Sequence, residues 1–269
     1  MPELPEVETT RRGIAPHIQD QTIQSVVVRQ PSLRWMVPDD ITDLAGAKIT
    51  DTARRGKYLI ISTEKQQVIV HLGMSGSLRI CQADEPAMAH DHVDIVLANG
   101  TALRLRDPRR FGAVLTSDDA YQHKLITVLG PEPLEAGFNA QYLYDASRGK
   151  TRNIKKFVMD AHVVVGVGNI YANEALFKAG IRPTVQAGKV SLKRYEKLVE
   201  AIVAVLGQAI EAGGTTLQDF VNSEGKPGYF ANELLVYGRE DKDCVVCGTT
   251  LSSMRIDNRA TVFCKNCQR

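Results

Sequence analysis

The sequence predicts an α+β chain of several domains: an N-terminal antiparallel β-sandwich with flanking helices over residues 1–130, a helical domain over 131–234 and a C-terminal ribbon hairpin over 235–269. Three observations carry that expectation. Short β-rich runs fill the chain to about Leu115, apolar residues recur at helical spacing from about Asp118, and two Cys-x2-Cys pairs stand at the C-terminal end. A length of 269 residues with 43% hydrophobic content leaves room for real cores. No apolar run approaches a membrane span, and the acidic start lacks the basic and apolar regions of a signal peptide, so a cytoplasmic protein with no membrane partner is expected. A net charge of +2 does not identify nucleic acid as a partner; the placement of the charges must do that.

The chain opens Met1-Pro2-Glu3-Leu4-Pro5-Glu6-Val7-Glu8. Pro5 suits a first helical position, Glu6 and Glu8 favour the first turn, and Leu4, Val7 and Ile14 form one apolar stripe, so a helix is expected that ends near Gly13 and Pro16. Removal of Met1 would leave Pro2 with a free secondary amine of pKa about 8, a nucleophile toward a sugar aldehyde carbon. The iminium formed has no N–H to lose and so keeps its charge as an electron sink, which is the chemistry of a lyase. Glu3 lies one residue away and can serve as general acid or base.

Strands are expected at Thr22–Val28, Lys57–Ile61, Gln67–Leu72, His92–Leu97 and Thr101–Arg106, with Asn99-Gly100 turning the last two into a hairpin. Helices are expected over 120–129, 141–147, 154–160, 170–179 and 191–212, the last with Leu198, Ile202, Val205, Leu206 and Ala209 on one side. Pro131-Glu132-Pro133 reads as the linker between domains. Thr215–Asn222 reads as a short helix, followed by a glycine-rich, mobile stretch from Ser223 to Tyr229.

Cys244, Cys247, Cys264 and Cys267 have the spacing of tetrahedral thiolate coordination of one structural zinc ion. The fifth cysteine, Cys81, reads as a core residue. Between the knuckles apolar and polar residues alternate as in a β-hairpin, with Asn258-Arg259 near its turn and Arg259 aimed outward. Two glycines precede a helix in Gly166-Val167-Gly168-Asn169-Ile170-Tyr171, a segment that fits either a phosphate site or a plain turn between helices. Arg148, Lys150, Arg152, Lys155 and Lys156 crowd nine residues without an acid, as a duplex-facing patch would. Two glycine-flanked loops, Gly73-Met74-Ser75-Gly76 and Asp107-Pro108-Arg109-Arg110-Phe111-Gly112, each carry an apolar side chain able to fill the gap left by a flipped base. His90 and His92 lack the carboxylate cluster that a second metal site would need.

Taken together, MPELPEVETTRRG, HLGMSGSLR, DPRRFG, GVGNIY, GGTTL and the cysteine ribbon resemble the bacterial formamidopyrimidine-DNA glycosylases over essentially the whole chain. The resemblance implies a bifunctional glycosylase and lyase, acting as a monomer on double-stranded DNA that contains oxidised purines or abasic sites, in the cytoplasm and on the nucleoid. It implies a helix-two-turn-helix in the helical domain and one structural zinc, with no redox cofactor or nucleotide. It assigns catalysis to Pro2, Glu3, Lys57 and Arg259, and DNA contact to His90, Arg109, Lys150, Asn169, Met74 and Phe111. Lys156 stands where many members have a proline. Two alternatives are an oxidised-pyrimidine glycosylase of the same superfamily and a non-catalytic zinc-ribbon protein that binds damaged DNA. The base-reading contacts are expected in the Ser223 to Tyr229 loop.

Overall fold

The computed structural model describes residues 2–215 and 233–269. Its contacts form two compact units, one built on Met1–Val128 with the segment that begins at Ala212, the other on Leu129–Glu211 and the C-terminal segment.

In the first unit, helix α1 (Leu4–Ile18) precedes eight strands: β1 (Ile23–Val28), β2 (Ile49–Arg55), β3 (Tyr58–Thr63), β4 (Gln67–His71), β5 (Ser77–Gln82), β6 (Asp91–Leu97), β7 (Thr101–Arg106) and β8 (Ala113–Ser117). They make two four-stranded antiparallel sheets, ordered β1-β6-β7-β5 and β2-β3-β4-β8. Inward residues of both sheets, among them Leu59, Ile61, Val68, Leu103 and Leu105, join Val7, Ile14 and Ile18 of α1 in one core. The expected sandwich is therefore present, with three further strands.

Those three, β2, β5 and β8, all lie at sheet edges. Their own sequences mark them weakly: β2 carries Asp51, Arg54 and Arg55, and β8 has only Ala113, Val114 and Leu115 before Thr116 and Ser117, whereas β1, also an edge strand, is marked by Val26, Val27 and Val28. Helix α1 also runs beyond the expected stop at Gly13 and Pro16. Pro16 lies in its last turn, where only the bond to Arg12 is lost, and the helix still closes with Gln19 N–H donating to Ala15 at 3.0 Å.

Charge is also buried between β1, β6 and β7. Arg104, 1% exposed, donates from Nε and Nη2 to both oxygens of Asp94 at 2.9 and 2.8 Å, and Arg29 adds a bond of 2.7 Å. Burial works to raise the Asp94 carboxyl, and the hydrogen bonds from Arg29 and Arg104 prevail, holding it below its usual range. Arg104 Nη2 also donates to the Glu85 carbonyl, fixing the segment that leads to His90.

The second unit contains α3 (Ala140–Ser147), α4 (Ile154–Val158), α5 (Asn169–Lys178) and α6 (Leu192–Glu211), then β9 (Ser252–Ile256) and β10 (Arg259–Phe263). Asn139 and Asn153 cap α3 and α4 with their side chains. On α6 the predicted stripe from Leu198 to Ala209 is buried. The helix expected over 120–129 is instead a 3-10 turn at Ala120–Gln122 and one short α-helix, α2 (Lys124–Thr127). His123 interrupts it, its Nδ1 accepting the Leu125 N–H and starting the second piece afresh.

Candidate active site and nucleic-acid interface

Pro2 and Glu3 are buried at the start of α1. The Glu6 carboxylate holds them there. Its Oε2 accepts the Glu3 backbone N–H at 2.8 Å, the return bond of a capping box, and its Oε1 accepts the Thr215 N–H at 2.8 Å. Gly214 passes so close, with φ +84°, that an added Cβ would lie 3.4 Å from Glu6 Oε1. Two residues on, Glu8 accepts bonds from Arg11, Arg12 and Arg54. Burial pushes its carboxyl up, and the bonds from Arg11 and Arg12 outweigh it, bringing Glu8 to about 2.

The two glycine-flanked loops touch each other. A Cβ on Gly73 would lie 2.4 Å from the Phe111 carbonyl carbon, so the two backbones meet there without side chains between them. Met74 and Phe111 are 37% and 44% exposed, unlike core residues, and Arg109 lies over the Phe111 ring at 5.0 Å. A cavity of about 520 Å³ opens beside them, lined by Leu33, Arg34, His71, Met74 and Phe111. Lys57, half-buried, precedes Tyr58, the register partner of His71. His90 is exposed at φ +74°, and its carbonyl accepts the Asp107 N–H at 3.0 Å, so it borders the same loop.

His71 was not among the expected site residues. Burial, with Lys57 and Arg34 adding to it, lowers its imidazole to about 4, and its Nδ1 accepts the Gly73 N–H at 3.0 Å. The available signal was a histidine ending an apolar strand directly before the Met74 loop.

In the second unit the cation patch resolves into distinct roles. Lys150 is exposed as expected. Lys155 is not: it is 1% exposed, and its ammonium donates to the Ala260 carbonyl at 2.8 Å and the Thr261 hydroxyl at 2.7 Å. Arg152 pairs with Asp160 at 2.6 Å and Lys156 with Asp257 at 2.8 Å, acids that lie outside the nine-residue window. The Ala260 carbonyl also accepts from Asn169 Nδ2 at 3.1 Å, while the Val262 N–H donates to Asn173 at 3.0 Å. These bonds seat β10 on α5, and Arg259 projects, exposed, beside the joined carbonyl. A cavity of about 340 Å³ lies between α4 and the hairpin, with Arg152, Lys156, Asp257 and Arg259 in its wall. The chain entering the ribbon is held separately, the Glu174 carboxylate accepting the N–H groups of Leu235, Val236 and Tyr237 at 2.9, 3.0 and 2.8 Å.

Cys244, Cys247, Cys264 and Cys267 bring their sulfurs within 4.8 Å of one another, with 3.9 Å between Cys244 and Cys267 and 3.5 Å between Cys247 and Cys264. Thiolates around a tetrahedral zinc at about 2.3 Å stand about 3.8 Å apart, so the donor set fits that ion and leaves no open position. Cys81 is buried in the sandwich and is not one of that group. The expected Thr215–Asn222 helix and the Ser223 to Tyr229 loop lie outside the described residues, apart from Thr215.

Residues 1–114 match the formamidopyrimidine-DNA glycosylase N-terminal domain, 129–221 its H2TH domain, and 242–269 the zinc finger found in FPG and IleRS. The formamidopyrimidine-DNA glycosylase of Marinobacter nauticus is 60% identical, covering all of both chains. The crystal structure of the MutM (Fpg) protein of Thermus thermophilus aligns with a TM-score of 0.90 at 36% identity, over 99% of this chain and 98% of that one. A Lactococcus lactis Fpg mutant, solved with DNA containing Fapy-dG, aligns with a TM-score of 0.91 at 32% identity over all of both chains. The cysteine cluster accordingly holds one structural zinc. A buried proline and glutamate at the head of a docked helix, a helical unit and a zinc ribbon seated upon it thus identify this chain as a member of the formamidopyrimidine-DNA glycosylase family.

Proposed function

We propose that this chain excises oxidised purines, 8-oxoguanine and formamidopyrimidines, from duplex DNA and then cleaves the abasic strand by β,δ-elimination. The observation that carries this is the Glu6 carboxylate, which fixes the Glu3 N–H and so the proline before it. With Met1 removed, the Pro2 nitrogen attacks C1′ and the bond from C1′ to the base breaks, the base leaving with the electron pair and taking up the proton that the Pro2 nitrogen sheds. Glu3 protonates the sugar as the base departs. The ring opens to an iminium that acidifies the C2′ proton; its loss expels the 3′ phosphate, and a second elimination expels the 5′ phosphate. Water finally returns the Pro2 amine.

Around that centre Lys57 assists elimination near the lesion phosphate, and Arg259 and Asn169 bind the duplex backbone with His90 and Lys150. Met74, Arg109 and Phe111 fill the space vacated by the base. Residues 1–130 carry the chemistry, 131–234 hold the duplex, and 235–269 present Arg259 under the control of zinc. The protein works as a monomer in the cytoplasm, on the nucleoid when it is bound to DNA.

Borohydride added to the protein with a duplex containing 8-oxoguanine tests the reading. The expected product is a covalent adduct that mass spectrometry locates on Pro2, with 8-oxoguanine excised faster than thymine glycol. No adduct, or capture of the sugar on a lysine, overturns it.

A further inference from the structure

Asp107 lies outside every role assigned above, yet it is fully buried and both of its carboxylate oxygens are engaged. Oδ1 accepts the Ser75 hydroxyl at 3.0 Å and the Arg109 N–H at 3.3 Å; Oδ2 accepts the Gly112 N–H at 2.7 Å. Its own carbonyl bonds His92 Nε2 at 2.8 Å, and its N–H donates to the His90 carbonyl at 3.0 Å. The partners share one property. Ser75 follows Met74 directly, while Arg109 and Gly112 enclose Phe111, so one carboxylate joins two loops that are 32 residues apart at the bonded pair. The loops are in direct backbone contact, because a Cβ on Gly112 would lie 2.8 Å from the His71 carbonyl oxygen and one on Gly73 2.4 Å from the Phe111 carbonyl carbon.

We infer that Asp107, through Ser75, is a positioning residue for base eversion, locking the Met74 loop and the Arg109–Phe111 loop into a single preformed wedge. This rests on the wedge role proposed above. A wedge displaces a stacked base only if its tip holds its shape against the stack. Two separately mobile loops would spend part of their binding energy on being ordered at the moment of insertion, whereas charge-assisted hydrogen bonds to a buried carboxylate provide that order beforehand. An amide at 107 has one acceptor oxygen for this cluster and turns an NH₂ toward a donor, so the loops would come apart at one of the bonds.

The experiment follows 2-aminopurine fluorescence beside 8-oxoguanine in stopped flow, together with single-turnover excision of 8-oxoguanine and strand cleavage at a preformed abasic site. It uses the full-length protein with Ser75→Ala, the milder change, and Asp107→Asn. The expected result is eversion and excision slowed roughly tenfold, as for loss of one hydrogen bond to a charged acceptor. Cleavage at the abasic site stays within about twofold, since no stacked base has to be displaced there. Ser75→Thr, which restores the hydroxyl, recovers eversion. Met74→Ala and Phe111→Ala serve as controls. If they slow eversion while Ser75→Ala and Asp107→Asn do not, or if those two lower all three rates in parallel, the clamp is overturned and the wedge stands. Eversion unchanged in Met74→Ala and Phe111→Ala removes the wedge reading, and the clamp with it.

Discussion

Glu6 and Thr215, 209 residues apart in sequence, are joined by a hydrogen bond of 2.8 Å from the Thr215 N–H to the carboxylate whose other oxygen holds Glu3. One buried side chain thus fixes both the head of α1 and the Gly213-Gly214-Thr215 turn. Glu6→Gln can accept only one of the two bonds and sets an NH₂ against the other N–H, at a cost of about 1–3 kcal/mol. The expected outcome is a lowered melting temperature and slower borohydride trapping, with zinc content unchanged. Trapping at the wild-type rate would show that Pro2 needs no such anchor.

Lys150 and Lys155 differ in burial and should differ in their salt dependence. Lys150→Ala removes an exposed phosphate partner, so the slope of log K against log salt should shrink by about 0.9. Lys155→Met should weaken DNA binding with that slope unchanged, because its ammonium is spent on Ala260 and Thr261. A reduced slope for Lys155→Met would return it to the DNA surface.

Two groups should make the first unit acid-labile in successive, slightly overlapping windows. His71 falls from 6.5 to about 4 on folding, so the folded state binds fewer protons and loses stability as pH drops from about 6.5 through 4. Glu8 falls from 4.5 to about 2, and its stabilisation is lost as pH drops through that lower range. NMR should find the His71 imidazole titrating near 4 in the free protein, and Glu8→Gln should flatten the fall in melting temperature below pH 4.5. A His71 resonance titrating near 6.5 would contradict the first expectation.

Cys247→Ser should release the zinc, measured by atomic absorption, and weaken duplex binding as the knuckle that borders β9 loosens. The sandwich, whose core shares no residue with the ribbon, should keep its melting transition. Full DNA affinity in the zinc-free variant would separate Arg259 from the metal.

The sequence made legible whatever depends on local pattern: strands rich in valine and isoleucine, β1 at a sheet edge among them, the α6 stripe and the cysteine spacing. It was silent on the edge strands β2, β5 and β8, whose pairing is decided by neighbours that lie far away in the chain. Lys155 looked like one cation among five because nothing local reveals that Ala260 and Thr261 will cover it. Asp107 and Glu6 were visible only as parts of motifs. Their functions depend on which amides the fold delivers to each oxygen, and that information is tertiary. The excess of cations was likewise misleading, since Asp160 and Asp257 reach the patch from outside it.

The pairing of Arg104 with Asp94 inside the sandwich constrains how this protein can drift. Losing Arg104 would leave the buried Asp94 carboxylate to Arg29 alone, and losing Asp94 would leave the Arg104 guanidinium only its longer carboxylate contacts, to Asp91 and Glu85 at 3.7 and 3.8 Å. Either step weakens a buried network at up to about 3–5 kcal/mol, a large share of what holds a domain together, whereas an apolar pair of matching volume could be as stable. The intermediates between those two solutions are the obstacle. Lineages descending from this chain should therefore inherit both residues as one character or exchange both at once.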